Sequence, residues 1–558
     1  MNSFPTDIEI ARKTTPRPIV EIAEKLGLSE EDLDLYGRDK AKVHLDTLEK
    51  KRKGFGKLVL VSAMTPTPAG EGKTTMTIGL TQGLARLGES VSCAIREPSL
   101  GPIFGIKGGA AGGGHSQIIP MEDINLHFTG DIHAITSANN LLAATIDNYL
   151  HKGNLSRLDP RTISFKRVID MNDRSLRDVI IGLGGRTQGV PRESGFDITA
   201  ASEIMAILSL SKDLEDLKRK VDRIFLGLTY DMEEVTAKEM NISGAIAMLL
   251  KDAIKPNLVQ TLEGNPAFVH CGPFANIAHG CNSILATQMS VAFSDWAITE
   301  AGFGFDLGAE KFFDITCPYG NLCPSLVVLV VTCRALKMHG GVKKKDLEIP
   351  NPDAVAAGFP NLEKHLENID KFGLPSVVCV NRFQGDTDEE LQVILDRCSE
   401  MGEPASVGDG FVNGGKGMEE VASLVIENVR DCSKTFKPLY DWNLGVKEKI
   451  EIVAKEIYGA EHIDYTKLAR KDLRTIKKKG YDKLPVCIAK TQKSLSDNPK
   501  LLGRPKDFIV TVREIEISAG AGYLVPITGD IMRMPGLPDE PAATQMDVDA
   551  DGNITGLF

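Results

Sequence analysis

Residues 57 to 88 read KLVLVSAMTPTPAGEGKTTMTIGLTQGLARLG. The opening run, KLVLVSAM, is apolar and β-branched and predicts a strand of the kind buried in a parallel sheet. From Met76 to Gly88 the apolar residues recur at helical spacing, with Gly88 as a stop signal. The glycine-containing stretch between them therefore joins a strand to a helix N-terminus, where free backbone N–H groups and the helix dipole favour an anion. The usual phosphate loop is G-x-x-x-x-G-K-[ST]. Counting back from Gly72 puts Thr67 where its first glycine belongs, between Pro66 and Pro68, which stiffen the approach to the loop. Gly70 and Gly72 let the backbone come close to phosphate oxygens, Lys73 reaches the terminal phosphates, and the Thr74 hydroxyl suits Mg²⁺. An ordinary βα turn has no need of Gly-Lys-Thr at its helix start.

Further strand-like segments alternate with helical ones: SVSCAIREPS (90 to 99), VDRIFLGLTY (221 to 230), SLVVLVVTCRALKMHGG (325 to 341) and LPSVVCVNRF (374 to 383). That alternation predicts an α/β fold with a mainly parallel, P-loop-type sheet flanked by helices. Residues 5 to 55 read as polar and helical, with Ser29 an N-cap before Glu30 to Asp32. The stretch 504 to 538 is β-like and rich in turns, so the C-terminal part reads as a smaller β-rich domain. The expected division is 1–345, 346–450 and 451–558. No internal repeat or low-complexity linker marks the boundaries.

Composition suits a soluble enzyme. The 558 residues are 42% hydrophobic and 25% charged, ordinary for a globular protein. No apolar run approaches the ~18 residues of a membrane span, and the start, MNSFPTDIEIARK, lacks an apolar signal-peptide core. A net charge of −11 argues against a nucleic-acid partner. The basic clusters at 51–53, 342–345 and 476–479 read as solvated surface. Ten cysteines without framework spacing predict a reduced, cytoplasmic protein.

A second substrate belongs beyond the carboxyl ends of the strands. Arg96 and Glu97 fall at such an end, one strand over from the phosphate loop on the simplest reading. Arg96 is a fixed cation suited to a carboxylate or a transferring phosphoryl group. Its structural alternative is a salt bridge with Glu97 or Asp131, which are themselves candidates for Mg²⁺ or proton handling. Residues 101 to 114 hold seven glycines, a density tolerable where backbone wraps a ligand or moves on binding. Other features are weaker. His127 and His133 flank Asp131 and read as packing residues. Cys317 and Cys323 have no partners for a zinc site and read as free thiols. DVDADGNITG (547 to 556) resembles the start of an EF-hand loop, but the twelfth position is Phe558 rather than glutamate, so a hairpin turn is the expectation.

Several motifs together resemble one family. TPTPAGEGKTT, REPSLGP (96 to 102), GIKGGAAGGG (105 to 114), PMEDINLHFTGDIHA (120 to 134), KDAIKPNLVQTLE (251 to 263), FANIAHGCNS (274 to 283), TEAGFGFDLGAEKF (299 to 312), RALKMHGG (334 to 341) and PITGDIMRMPGLP (526 to 538) are similar to the formate–tetrahydrofolate ligases. The resemblance spans nearly the whole chain, at a length that suits the monofunctional bacterial type. It implies joining of formate to tetrahydrofolate with ATP cleaved to ADP and phosphate, through a formyl phosphate intermediate. Thr67, Pro68, Ala69, Gly70, Glu71, Gly72, Lys73, Thr74 and Thr75 would bind ATP, with Thr74 on Mg²⁺. Arg96, Lys73, Glu97 and Asp131 would form the catalytic set. The family is usually homotetrameric and responds to a monovalent cation.

On the folate side the chain departs from the family, whose phenylalanine and tryptophan sandwich the pterin. Phe383 keeps the first position, followed by Gln384 and Gly385 where Pro-Thr is usual. Phe411 stands at the tryptophan position, and Phe303 would line the same cleft. A phenyl ring stacks over less area than an indole, so the expectation is weaker folate binding or an altered pterin preference. The alternatives are a ligase-like enzyme with another pterin acceptor and a P-loop switch ATPase, which would need neither the glycine run nor the aromatic positions.

Overall fold

The computed structural model describes residues 4–50, 54–105, 111–153, 155, 157–430, 436–529 and 531–557. The basic cluster at 51–53, residues 106 to 110 of the glycine run, and Phe558 lie outside that set.

A twelve-stranded sheet organises the described chain. In chain order its strands are β1 (Leu33–Leu35), β2 (Ala41–Val43), β3 (Lys57–Ala63), β4 (Val91–Ile95), β5 (Gly112–Gly113), β6 (Ser116–Ile119), β7 (Asn257–Thr261), β8 (Pro266–Val269), β9 (Trp296–Glu300), β10 (Pro324–Val331), β11 (Ser376–Asn381) and β12 (Ala405–Gly408). The spatial order is β1-β2-β7-β8-β4-β9-β3-β10-β11-β12, with β6 paired to β7 and β5 to β6. From β8 to β12 every pairing is parallel. The β1, β2, β6 and β7 pairings are antiparallel.

Both faces of the sheet are buried, which is why the strands read as unbroken apolar runs. In β3, Leu58 and Leu60 join one core with Leu329 and Val378, whereas Val59 and Val61 join another with Val328 and Val377. The helices that cover the sheet include α1 (Asp7–Lys13) and α2 (Lys73–Arg86), whereas α3 (Asp131–Lys152) joins a separate core through Ile135, Leu142 and Ile146; α4 (Cys333–His339) and α5 (Pro352–Lys371) cover the sheet again. Met76, Ile78 and Leu80 of α2 fill the second core, and Val355, Phe359 and Leu362 of α5 the first. Residues 462 to 528 add a three-stranded sheet, β13 (His462–Tyr465), β14 (Ile509–Ser518) and β15 (Tyr523–Thr528).

The strand–loop–helix reading of 57 to 88 holds, with the helix starting at Lys73 and Gly88 at φ 91° beyond its end. Ser29 caps a short 3-10 turn over Glu30–Asp32, although the same N-terminal region also supplies β1 and β2. Three readings are corrected. VDRIFLGLTY forms a helix end and a strand, Phe225–Leu228, that pairs antiparallel with Glu234–Thr236 outside the main sheet. The tight turn over Thr229 to Glu233, with Met232 at φ 63° and its N–H donating to the Thr229 carbonyl at 2.9 Å, returns that strand on itself before it can cross over. Second, Cys317 is a buried free thiol but Cys323 is disulfide-bonded; local spacing carries no information about a partner brought by the fold. Third, β9 lies between β4 and β3, so Arg96 is two strands from the phosphate loop. The 547–556 segment is the expected hairpin, with the Asp549 carboxylate accepting from the Asp551 and Asn553 N–H groups at 2.9 and 2.8 Å.

Candidate active site

Each candidate residue of the sequence lies at or just beyond the carboxyl edge of the parallel strands, where α/β sheets bind ligands, apart from Asp131 at the start of α3. Arg96 and Glu97 follow β4, the phosphate loop follows β3, and Phe303, Phe383 and Phe411 follow β9, β11 and β12.

The phosphate loop is held from within and from its neighbours. Gly70 and Gly72 have φ of 80° and 72°, a left-handed backbone that glycine adopts without strain. A Cβ on Gly72 would stand 2.4 Å from Asn381 Nδ2, and that amide donates to the Glu71 carbonyl at 2.9 Å. The buried Glu71 carboxylate accepts from the Thr67 N–H at 2.6 Å and from the Thr332 hydroxyl. Its side chain therefore shapes the loop. Pro68 and Ala69 are exposed at the tip, and Lys73, Thr74 and Thr75 are half-buried at the helix start. Behind the loop, His339 accepts from the Gly503 N–H at Nδ1 and donates to the Thr65 carbonyl at Nε2, each at 3.0 Å. Burial lowers its pKa, which suits the neutral tautomer these two bonds require.

Glu300 is the residue the motif reading passed over. It ends β9, between β3 and β4, and is buried. The Thr74 hydroxyl donates to its Oε2 at 2.8 Å, and Arg96 Nε stands 3.7 Å from its Oε1. One carboxylate thus links the phosphate loop to Arg96. The partner of Arg96 is neither of the two acids expected from sequence. Gly302 makes room for the guanidinium: a Cβ there would lie 2.9 Å from Arg96 Nη1. The next residue, Phe303, holds φ 57°, a strained conformation for a bulky side chain. The available sequence signal for Glu300 was an acid closing the apolar strand WAITE.

Glu97 and Asp131 share a second, deeper cluster. Asp131 opens α3 and is paired with Lys42 of β2, Nζ to Oδ1 2.8 Å, both side chains almost fully buried. Asn257 donates to Asp131 Oδ2 at 2.8 Å. Glu97 is buried and its Oε2 has no hydrogen-bond partner. Burial, then the nearby Asp131, hold its carboxyl well above the usual glutamate range. Nothing in the local sequence marks Lys42, because it reaches Asp131 through the pairing of β2 with β7.

That elevation has a testable sign. A carboxyl raised in the folded state contributes stability fully below its ordinary value of 4.5, and the contribution is lost as pH rises through the folded value. Glu97→Gln removes the loss. Its urea midpoint should therefore gain on that of the wild type as pH rises above about 4.5. Parallel pH profiles for the two proteins would show that Glu97 is ionised in the fold.

The aromatic candidates do not share one contact set. The Phe383 ring lies under the Arg334 guanidinium, 3.6 Å from carbon to centroid, and its Cζ is 3.9 Å from where a Gly72 Cβ would stand. Arg334 Nη2 donates to the Gly70 carbonyl at 3.3 Å. Arg334 therefore touches both the phosphate loop and Phe383, and sequence reading missed it. Arg334→Gln is expected to raise the KM values for nucleotide and folate together, by ~3–10-fold, as a cation–π contact of ~0.5–2 kcal/mol is lost. Lysine should not restore them, since it lacks the planar stack; a change in neither KM would refute the linkage. Phe411, after the neighbouring strand β12, makes its own contacts, its carbonyl accepting from the His115 N–H at 2.8 Å. A Cβ on Gly114, at φ 56°, would meet that carbonyl oxygen at 2.0 Å.

A glycine-containing loop at a helix start, a cation linked to it through Glu300, and phenylalanines following strands of the same sheet edge form one candidate site. A family model described as formate–tetrahydrofolate ligase matches residues 5–558. The chain belongs to that family. The ligase joins formate to tetrahydrofolate at the expense of ATP, which places it in folate one-carbon metabolism. Among its described residues no helix is long and apolar enough to cross a membrane. Cys333, Asp386 and Glu390 also bring three ligand-type atoms within 4.8 Å of one another. Glu390 there is already paired with Lys337 at 2.9 Å.

Proposed function

We propose that the ligase works through formyl phosphate, with the phosphate loop and Arg96 as its phosphoryl-transfer site. A formate oxygen attacks the γ-phosphorus of ATP, forming an O–P bond as the bond to the β–γ bridging oxygen breaks and ADP leaves. N10 of tetrahydrofolate then attacks the formyl carbon, the C–O bond to phosphate breaks, and N10 gives up its proton. Formate needs this activation because its own leaving group would be oxide, whereas phosphate leaves readily.

The observation that carries the proposal is the Glu300 link from Thr74 to Arg96. Phosphoryl transfer requires positioning and charge neutralisation above all. Lys73 and the N–H groups at the start of α2 serve the phosphates, while Arg96 serves formate and the transferring group. The Thr74 hydroxyl and the Glu300 carboxylate are oxygen donors in hydrogen-bond contact, the chemistry Mg²⁺ selects. Bound with the triphosphate, Mg²⁺ supplies charge neutralisation there. In the deeper cluster, Lys42 offsets Asp131 and a proton keeps Glu97 uncharged, so an anion nearby does not face two bare carboxylates. Phe303, Phe383 and Phe411 serve the folate. A homotetramer, implied by the resemblance, and a cytoplasmic location, expected from composition, belong to the same proposal.

The test is an assay with ATP, Mg²⁺, formate and tetrahydrofolate, following ADP and 10-formyltetrahydrofolate while each substrate is omitted in turn. Formate-dependent ADP release without folate, with formyl phosphate trapped by hydroxylamine as formyl hydroxamate and phosphate released, is the expected signature of the intermediate. ADP with formate but no folate product would point to another pterin acceptor. ADP release indifferent to formate would overturn the proposal.

A further inference from the structure

Phe411 belongs to a group of three rings from three parts of the chain. Its centroid is 5.4 Å from that of Phe4, with the planes inclined by 31°, within the range of an offset stack. Phe4 also meets the His115 ring edge-on, at 6.2 Å and 85°. The N-terminal segment is fastened there by polar contacts. The Asp7 carboxylate accepts from the Gly114 N–H at 2.7 Å, and the Gln117 amide donates to the Asp7 carbonyl at 3.0 Å. Thr6 caps α1, and Arg12 near its end donates to Glu122 at 2.8 Å.

This anchoring does not bury the rings. Phe4 remains 40% exposed and Phe411 38%. Apolar surface is thus held in a fixed arrangement while still facing solvent, which is how a ligand platform differs from a core. A cavity of about 370 Å³ adjoins it, lined by Thr14 of the N-terminal segment together with His115, Leu262, Val412 and Asn413. A half-exposed phenylalanine alone would sample several rotamers; a stacked neighbour removes that freedom before a ligand arrives.

We propose that Phe4 is a positioning residue for the acceptor: stacked on Phe411, it fixes the orientation in which that ring meets a flat heteroaromatic ring. The inference rests on the reading of Phe411 as a folate-contacting residue. It adds to the site a segment more than four hundred residues away in sequence, with no motif to mark it.

The full-length protein carrying Phe4→Ala, Phe4→Tyr, Phe411→Ala or the double change Phe4→Ala/Phe411→Ala tests it, with KM measured for tetrahydrofolate, ATP and formate. Phe4→Ala should raise the folate KM ~2–10-fold, the range of an aromatic pair, and leave the other two KM values in place. Phe4→Tyr, which keeps the ring, should restore it. The double variant should be no worse than Phe411→Ala, because Phe4 acts through that ring. If Phe411→Ala raises the folate KM and Phe4→Ala does not, the inference falls and the folate reading of Phe411 survives. If neither changes it, both fall together. A lower folate KM in Phe4→Ala would make Phe4 an obstruction and overturn the inference.

Discussion

Lys73→Ala is expected to lower formate-dependent ADP formation by on the order of 10³-fold or more, with little effect on folate binding. Lys73 is the first residue of α2, directly after Gly72 in its left-handed conformation. Its charge stands at a helix N-terminus, where free N–H groups and the helix dipole favour the phosphates that the proposed function places there. Those N–H groups remain in the variant, so ATP should still bind. The ammonium matters most when negative charge moves between the γ-phosphoryl group and its partners, so kcat should fall more than nucleotide affinity. The decisive measurement is trapping of formyl hydroxamate in single-turnover mixtures without folate, alongside equilibrium binding of tetrahydrofolate. A variant that still makes the hydroxamate but binds folate poorly would place Lys73 on the acceptor side and refute the assignment.

Arg96→Ala should cost ~10²–10³ in kcat, the usual loss when one preorganised donor to a developing charge is removed. Arg96 is held near Glu300 by Coulomb attraction at 3.7 Å rather than by a short hydrogen bond. Its Nε is buried without a hydrogen-bond partner, and the side chain keeps 25% exposure. The guanidinium is therefore positioned but not consumed by structure, in contrast to Lys42, which is locked against Asp131. Arg96→Lys should recover part of the rate, because a point charge replaces the charge but not the two-pronged geometry. The formate KM should rise in both variants while the folate KM stays. Formate-dependent ADP formation at the wild-type rate in Arg96→Ala would remove Arg96 from the phosphoryl half of the reaction.

The glycine-containing loop, the apolar strand before it and the helix at Lys73 were legible in sequence, because each depends on neighbours within a few residues. Hydrophobic periodicity reports local burial, and Gly-Lys-Thr after a strand has one common use. Position at a strand end added Arg96 and Glu97, with Asp131 as a nearby acid, and the family resemblance added the three phenylalanines. VDRIFLGLTY shows the limit: its apolar pattern gave the strand but not the sheet it would join, since pairing is settled by what else reaches the same edge.

The tertiary structure alone decided how these pieces meet. Strand order put β9 between β3 and β4, so that Glu300 could bond Thr74 across 226 residues of sequence. The pairing of β2 with β7 brought Lys42 to Asp131, and the return of the N-terminal segment set Phe4 against Phe411. A buried carboxylate selects whichever cation or hydroxyl the fold delivers to it, and an aromatic ring whichever face is left open. Those choices depend on distances through space, which residue spacing along a chain does not encode.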